Sequence, residues 1–216
     1  MSAVRIGPVK RYVQYGCGFS APIEWVNYDA SPTLRFEKFP LIGRLYTRNN
    51  QRFPSNVLYG DIVKGLPEAD ESCEGIYCSH ILEHLSYTDF KKALSNTYRI
   101  LKPGGLFRCV VPDLKQAAIN YLASYDHEPA PAHQFLKNTM LGVSRRVNDL
   151  PSLAKSFLGN SKHLWMWDEK TLAFELKKAG FSEIRNCNFN DSPDTRFSFV
   201  EEEGRFYQAV AIECRK

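Results

Sequence analysis

The chain has no apolar run approaching the ~20 residues that a membrane-spanning helix needs. Its first ten residues, Met-Ser-Ala-Val-Arg-Ile-Gly-Pro-Val-Lys, lack the apolar centre of a secretion signal. A cytoplasmic protein without a membrane span is expected. Paired cysteine spacing is missing too. Cys17, Cys73, Cys78, Cys109, Cys187 and Cys214 form no Cys-x-x-Cys pair and have no histidine at zinc-finger distance. Cys78 and Cys109 fall in runs that read as central strands, so the cysteines are read as small buried hydrophobes in a reducing compartment. No metal site is expected. A strong charge of either sign is absent as well: 28 basic against 24 acidic residues leave +4. Arg44, Arg48 and Arg52 recur every four residues, and Arg145 and Arg146 are adjacent. Such a stripe can meet phosphates. With no nucleic-acid motif beside it, it reads as a solvated face, and nucleic acid is not an expected partner.

What remains is an ordinary globular composition, 44% hydrophobic over 216 residues, enough for a real core. Residues 12–15 and 25–28 read as short strands. Ser31-Pro32 offers an N-cap with proline at the first helical position, and one or two short helices follow within 33–46, where Pro40 interrupts. Residues 57–59 and 75–78 read as a third and a fourth strand. The clearest helix covers 88–101, where Phe90, Leu94, Thr97, Tyr98 and Leu101 follow a 3.6 period before Pro103-Gly104-Gly105. Residues 106–111 suit a buried strand, broken only by Arg108. Asp113 caps a helix to about Tyr125. Residues 127–160 are irregular and read as an insertion over a site. Asp168 caps a last helix that Gly180 ends, and 181–189 and 205–214 are two final strands that can pair antiparallel. Strands alternating with helices make an α/β sandwich.

The chemistry sits where strands end. Tyr15-Gly16-Cys17-Gly18 follows the first, Asp29 ends the second, Asp61-Ile62 follows the third, and Ser79-His80-Ile81-Leu82-Glu83-His84 follows the fourth. In an open parallel sheet, ligands bind beyond the carboxyl ends of the strands. Four consecutive tips with ligand-type chemistry point to one cofactor site. With Leu101-Lys102-Pro103-Gly104-Gly105 before the fifth strand, the order resembles the S-adenosylmethionine-dependent methyltransferases of the Rossmann-like class. It is most similar to the type-11-like group, over roughly residues 11–112.

The resemblance implies an α/β, Rossmann-like three-layer sandwich. Its sheet would be seven-stranded and mostly parallel, with an antiparallel last strand. It also implies S-adenosyl-L-methionine as cofactor, held by Gly16, Cys17, Gly18, Asp29, Asp61, Ile62, Ser79 and His80. Asp29 would accept bonds from ribose hydroxyls, Asp61 would meet the adenine amino group, and Ile62 would pack on the ring. A single domain over 1–216 is expected, with an insertion or lid at about 127–165. The departure is the first loop. Ser20 stands at the family's third glycine, and residues 19–24 are too few for a crossover helix, which needs about a dozen. Fully extended they reach only about 20 Å. The first crossover helix should be missing or reduced to a turn. The sheet face it normally covers must be shielded otherwise. The segment 34–45, with Phe36, Phe39 and Leu41, is the first choice, and a homodimer the second.

Three histidines are candidates for catalysis: His80, His84 and His163. Histidine titrates near neutrality and can act as a general base. His80 and His84 lie one helical turn apart, with Glu83 and His84 expected to open the next helix. Against this stands a structural reading of each ring. Trp165 and Trp167 could wall the pocket or simply pack. The implied activity is methyl transfer to oxygen or nitrogen of a small-molecule acceptor, of the kind of a sugar or glycan precursor. The alternative is a non-catalytic cofactor-binding or interaction protein on the same fold.

Overall fold

The computed structural model describes residues 11–39, 51–143 and 162–216. Seven strands form one sheet: β1 (Tyr12–Tyr15), β2 (Val26–Asp29), β3 (Val57–Tyr59), β4 (Cys73–Ser79), β5 (Leu101–Pro112), β6 (Ser182–Asn186) and β7 (Ala209–Arg215). The described helices are α1 (Pro32–Glu37), α2 (Tyr87–Ile100), α3 (Leu114–Ser124), α4 (Pro131–Asn138) and α5 (Glu169–Lys178). Strand order is β3-β2-β1-β4-β5-β7-β6. The β1–β2, β1–β4, β2–β3 and β4–β5 pairs are parallel, and β7 runs against both neighbours. The order reverses between β1 and β4. That switch point is where open sheets leave a crevice for a ligand.

Period-two alternation gives each sheet face its own core. Val13, Tyr15, Ile76 and Cys78 face α2 and α5, which bury Phe90, Leu94, Leu172 and Leu176 against them. Ser86 caps α2 by accepting the Asp89 N–H, and Asp168 caps α5 by accepting the Thr171 N–H at 2.7 Å. The helix over 88–101 is thus found as α2, one residue earlier at each end. The strand after it starts at Leu101, and Pro103-Gly104-Gly105 forms an irregularity within it: pairing with β4 passes from Cys73–Leu101 to Gly75–Leu106, and Gly104 takes φ +75°. Within the expected irregular insertion, 131–138 is a regular helix, α4, with Pro131 in its first turn.

The first connection has no helix, as its length required. Two polar side chains inside the strands hold it. The Gln14 amide donates to Asn27 Oδ1 at 2.5 Å and to Ser20 O at 2.8 Å. The Asn27 amide donates to Pro22 O at 3.0 Å and to Trp25 O at 2.9 Å. The buried loop carbonyls are thereby satisfied where a helix would have satisfied its own.

In the described part of the segment first expected to cover the bare face, residues 34–39, the large side chains do not lie on it. Phe36 and Phe39 are 39% and 59% exposed, and Leu34 packs in a small separate cluster with Cys17 and Val57. Leu41 lies outside the described residues. The cover comes from the other end of the chain. Phe197, on a 3-10 turn over Thr195–Phe199, packs with Val200 and Trp25 on Tyr12, Tyr77, Leu106 and Val110. Trp25 meets Tyr12 edge-on at 5.2 Å and Phe197 at 5.3 Å, and its indole N–H donates to Arg196 O at 3.1 Å. Gly75 makes room: a Cβ there would come within 2.7 Å of the Tyr12 ring.

Arg108 pins this cover to the sheet. Its guanidinium is fully buried on the same face and bonds Glu201, Asp191 at 2.9 Å, Glu213 at 3.1 Å and Asn188 O at 2.7 Å. Burial, the largest single influence, would lower the Arg108 pKa, but the bonds to Glu201 and Asp191 and the surrounding negative charge together raise it. Burial likewise pushes Asp191 upward, yet bonds from Arg185, the Asn188 N–H and Arg108 hold it below the usual carboxylate range.

Two outcomes follow. Phe197→Ala should cost about 3–5 kcal/mol in urea unfolding, as aromatic truncations in a core do, while Phe39→Ala should stay within about 0.5 kcal/mol of wild type. Equal costs would mean that Phe197 is not the cover. Asp191, with a depressed folded pKa, contributes stability that is full above about pH 3.9 and is lost as the pH falls through its folded value. Urea midpoints should therefore put Asp191→Asn below wild type at pH 7, with the gap narrowing at pH 3. A constant gap would remove the charge from the account.

Candidate functional site

The β1 tip turns at once into Gly16, with φ +67°. A Cβ on Gly16 would lie 2.0 Å from Ile81 Cδ1, so the β1 and β4 tips approach as closely as bare backbone allows. A Cβ on Gly18 would meet nothing within 4 Å, which leaves that side of the loop open. Cys17 turns away into the cluster with Leu34 and Val57, and burial pushes its thiol up to about 12. The Asp29 carboxylate ties the β2 tip to this loop. Oδ2 accepts the Gly18 N–H at 2.9 Å and Oδ1 the Ser31 N–H at 2.7 Å. Each oxygen keeps a free lone pair.

Asp61 builds the turn after β3, accepting the Val63 N–H at 3.0 Å and pairing with Lys64 at 3.4 Å. Ile62 is 5% exposed and belongs to the main core cluster. Ser79 closes β4. His80 follows with φ +55°, a strained left-handed position for a residue with a Cβ. Leu82–His84 is a 3-10 turn, and the regular helix begins only at Tyr87, so Glu83 and His84 stand on the turn instead of opening α2.

The three candidate histidines come together around one residue that the sequence reading left aside. Glu83 is fully buried, and neither carboxylate oxygen has a hydrogen-bond partner. His80 Nδ1, His84 Nε2 and His163 Nε2 lie 3.4, 3.9 and 4.0 Å from its Oε1. Burial pushes the Glu83 carboxyl up to about 8. Burial, and then the His84 ring, push His163 down to about 4, and burial also lowers His80. The Glu83 carbonyl accepts the N–H groups of Leu164 and Trp165, at 2.7 and 3.1 Å, which brings His163 in from far along the chain. Trp165 stacks on Tyr87 at 5.0 Å and is 44% exposed. Trp167 is core, 4.0 Å from Phe90, and walls no pocket. The one sequence signal for Glu83 was its position three residues after His80 and directly before His84.

At the β5 tip a cavity of about 170 Å³ opens between α3 and α4. Asp113, Asn120, Tyr121, Gln134, Asn138 and Gln208 supply its polar lining. Met166, whose sulfur lies 3.2 Å from His163 Nδ1, reaches it from the histidine side. Asp113 also caps α3, accepting the Lys115 N–H at 2.8 Å. The arginine clusters of 44–48 and 145–146 lie outside the described residues.

A methyltransferase-domain family model matches residues 13–109, the stretch that carries the four strand tips. Over that stretch, 97 of the 216 residues, the chain is similar to a methyltransferase domain. An uncharacterized protein of Saccharomyces cerevisiae is 24% identical over 157 residues, 68% of this chain. The chain spans 17% of that relative's length. A SAM-dependent methyltransferase from Archaeoglobus fulgidus is 17% identical, with 96% of this chain and 86% of that one covered, at a TM-score of 0.49. The structure of PigF with SAH has the same fold at a TM-score of 0.50 and 15% identity, covering 96% of this chain and 50% of that one.

The residues at the strand tips fit S-adenosylmethionine. The Gly16–Gly18 backbone is open on one side, and the Asp29 carboxylate beside it can still accept two bonds, the chemistry a ribose diol needs. The closeness of Gly16 and Ile81 is directly testable. Gly16→Ala should cost about 1–3 kcal/mol through overpacking and the left-handed φ, and adding Ile81→Ala should return part of it. Purely additive losses in urea unfolding of the two single variants and the double would show that the tips do not touch.

Proposed function

We propose that this chain moves the methyl group of S-adenosylmethionine to an oxygen or nitrogen of a small polar molecule, of the class of sugars and glycan precursors. The observation that carries this reading is the cavity at the β5 tip. Its lining is rich in carboxamides and hydroxyls, which suit a polyhydroxylated acceptor. Among the described residues, neither lysine nor arginine lines it, which supports an uncharged acceptor over a phosphorylated one or nucleic acid. α4, part of the 127–165 insertion, forms one wall, and supports reading that insertion as a lid over a single domain.

When bound, S-adenosylmethionine supplies a methyl group already activated on a sulfonium. The chain's own work is then placement. Asp29 and the Gly16–Gly18 backbone hold the cofactor, and the cavity orients the acceptor for in-line attack. The histidines contribute from beneath: each has one ring nitrogen near a carbonyl or sulfur and the other turned to Glu83. Support for a histidine base is therefore weaker than support for positioning.

Calorimetry should give micromolar binding of S-adenosylmethionine, on the order of −8 kcal/mol. Asp29→Asn removes the charge from its ribose contacts and should weaken binding at least about tenfold. A labelled-methyl screen against sugars, nucleotides and lipid-linked intermediates should give turnover on an uncharged polyol. No cofactor binding by wild type would end the methyltransferase reading. Binding without turnover on any acceptor would instead favour a non-catalytic cofactor-binding protein.

A further inference from the structure

We infer that Glu83, His84 and His163, with His80 beside them, form a binding site for a divalent transition-metal ion. The first observation is the carboxylate. Glu83 is 0% exposed, and both of its oxygens lack a partner. A bare carboxylate in a dry interior is among the costliest groups a fold can hold, and it persists when paired, protonated or bound to a cation.

The second observation is which nitrogens face it. His84 Nδ1 lies 2.9 Å from the Lys162 carbonyl oxygen, which can only accept, so Nδ1 carries the proton and the Nε2 lone pair is free. His80 Nε2 lies 2.9 Å from the Arg205 carbonyl oxygen, which by the same logic frees the Nδ1 lone pair. His163 Nδ1 is 3.2 Å from the Met166 sulfur, and its Nε2 is the nitrogen on the Glu83 side. The ring nitrogens of His84, His80 and His163 that face Glu83 Oε1 lie 3.9, 3.4 and 4.0 Å from it. Imidazole nitrogens gathered around a buried carboxyl need a proton or a cation at their centre.

The dimensions suit a metal ion. The ligand atoms of Glu83, His84 and His163 all lie within 4.8 Å of one another. A point equidistant from the three is about 2.5 Å from each, against bonds of about 2.0–2.2 Å for zinc. A closure of a few tenths of an ångström completes the site. The outer contacts to Lys162 O and Arg205 O are of the kind that orient ligating histidines. Two or three imidazoles with one carboxylate select zinc, cobalt or nickel over magnesium or calcium, which prefer oxygen. The cysteine pattern could not reveal this site, because no cysteine takes part. The ion's chemistry would be Lewis-acid polarisation of an oxygen on the side where Met166 meets the cavity.

The test is a Co²⁺ titration of the full chain after dialysis against EDTA, read by visible absorption and by thermal unfolding. The expected result is one Co²⁺ per chain with a Kd below about 10 µM, ligand-field bands without a thiolate band, and a raised Tm. Glu83→Gln and His163→Ala should each weaken binding at least about 100-fold, while His127→Ala, on an exposed turn, should bind as wild type does. His84→Ala, whose ring is partly exposed, serves as a second ligand variant if either of the others unfolds. The inference is overturned if folded wild type binds no Co²⁺ saturably. It is equally overturned if a thiolate band appears, or if the folded ligand variants bind like wild type. None of these readouts involves S-adenosylmethionine, so failure here leaves the methyl-transfer reading standing.

Discussion

The ten residues between the first two strands, of which only 19–24 follow the glycine turn, set the terms for the whole molecule. A parallel pair joined over so short a span cannot carry the helix that would shield one face of the sheet. Tyr12, Tyr77, Leu106 and Val110 then face outward with nothing local to bury them. The fold answers with chain from far downstream, Phe197 and Val200, and fixes it with a buried guanidinium. A buried ion pair is a weak source of stability by itself, because desolvation consumes most of the Coulomb gain. What Arg108 adds is geometry. Its planar fork binds one strand acid, Glu213, and three groups of the covering segment, Asp191, Glu201 and the Asn188 carbonyl, so residues 188–201 have one way to lie on the sheet. Removing a single acid from such a set leaves the cation under-paired in a dry place, a larger loss than any exposed pair would register.

Much of this fold was legible because its signals are local. Strand tips that end in glycine or acid, a helix with a clear 3.6 period and an Asp168 cap all depend on neighbours in sequence. The contracted loop was legible too, since chain length alone forbids a helix there. The identity of the cover was not. Phe36 and Phe39 looked like the obvious shield because they are near in sequence, while Phe197 sits 185 positions from Tyr12. Only the packing of distant segments decides between equally apolar phenylalanines. The clue that did exist was polar: Gln14 and Asn27 in the middle of central strands, and Arg108 in an otherwise apolar run. A polar residue at a buried strand position must find partners. These three mark the two places where the backbone departs from the family pattern.

The site divides along the same line. The Gly16–Gly18 turn and its tie to Asp29 were readable because each needs a particular residue type at a particular strand end. The packing of Ile62 and Trp167 in the main core was not, because position along the chain does not reveal burial. Glu83 escaped because a glutamate in sequence carries no sign of its burial. His163 joins it only because Leu164 and Trp165 donate to the Glu83 carbonyl, a contact across 81 residues or more.

That carboxylate is the point at which stability and function meet. Burial strongly favours its neutral form, so without a cation the pocket holds a proton up to about pH 8. His163 and His80 are pushed the opposite way, His163 down to about 4. Acid and these two bases are thus displaced in opposite senses by the same dry surroundings. The strained φ of His80 fits the same picture. A left-handed position for a residue with a Cβ costs stability, and it survives here where it aims a ring nitrogen at Glu83 while the backbone still pairs with Val110.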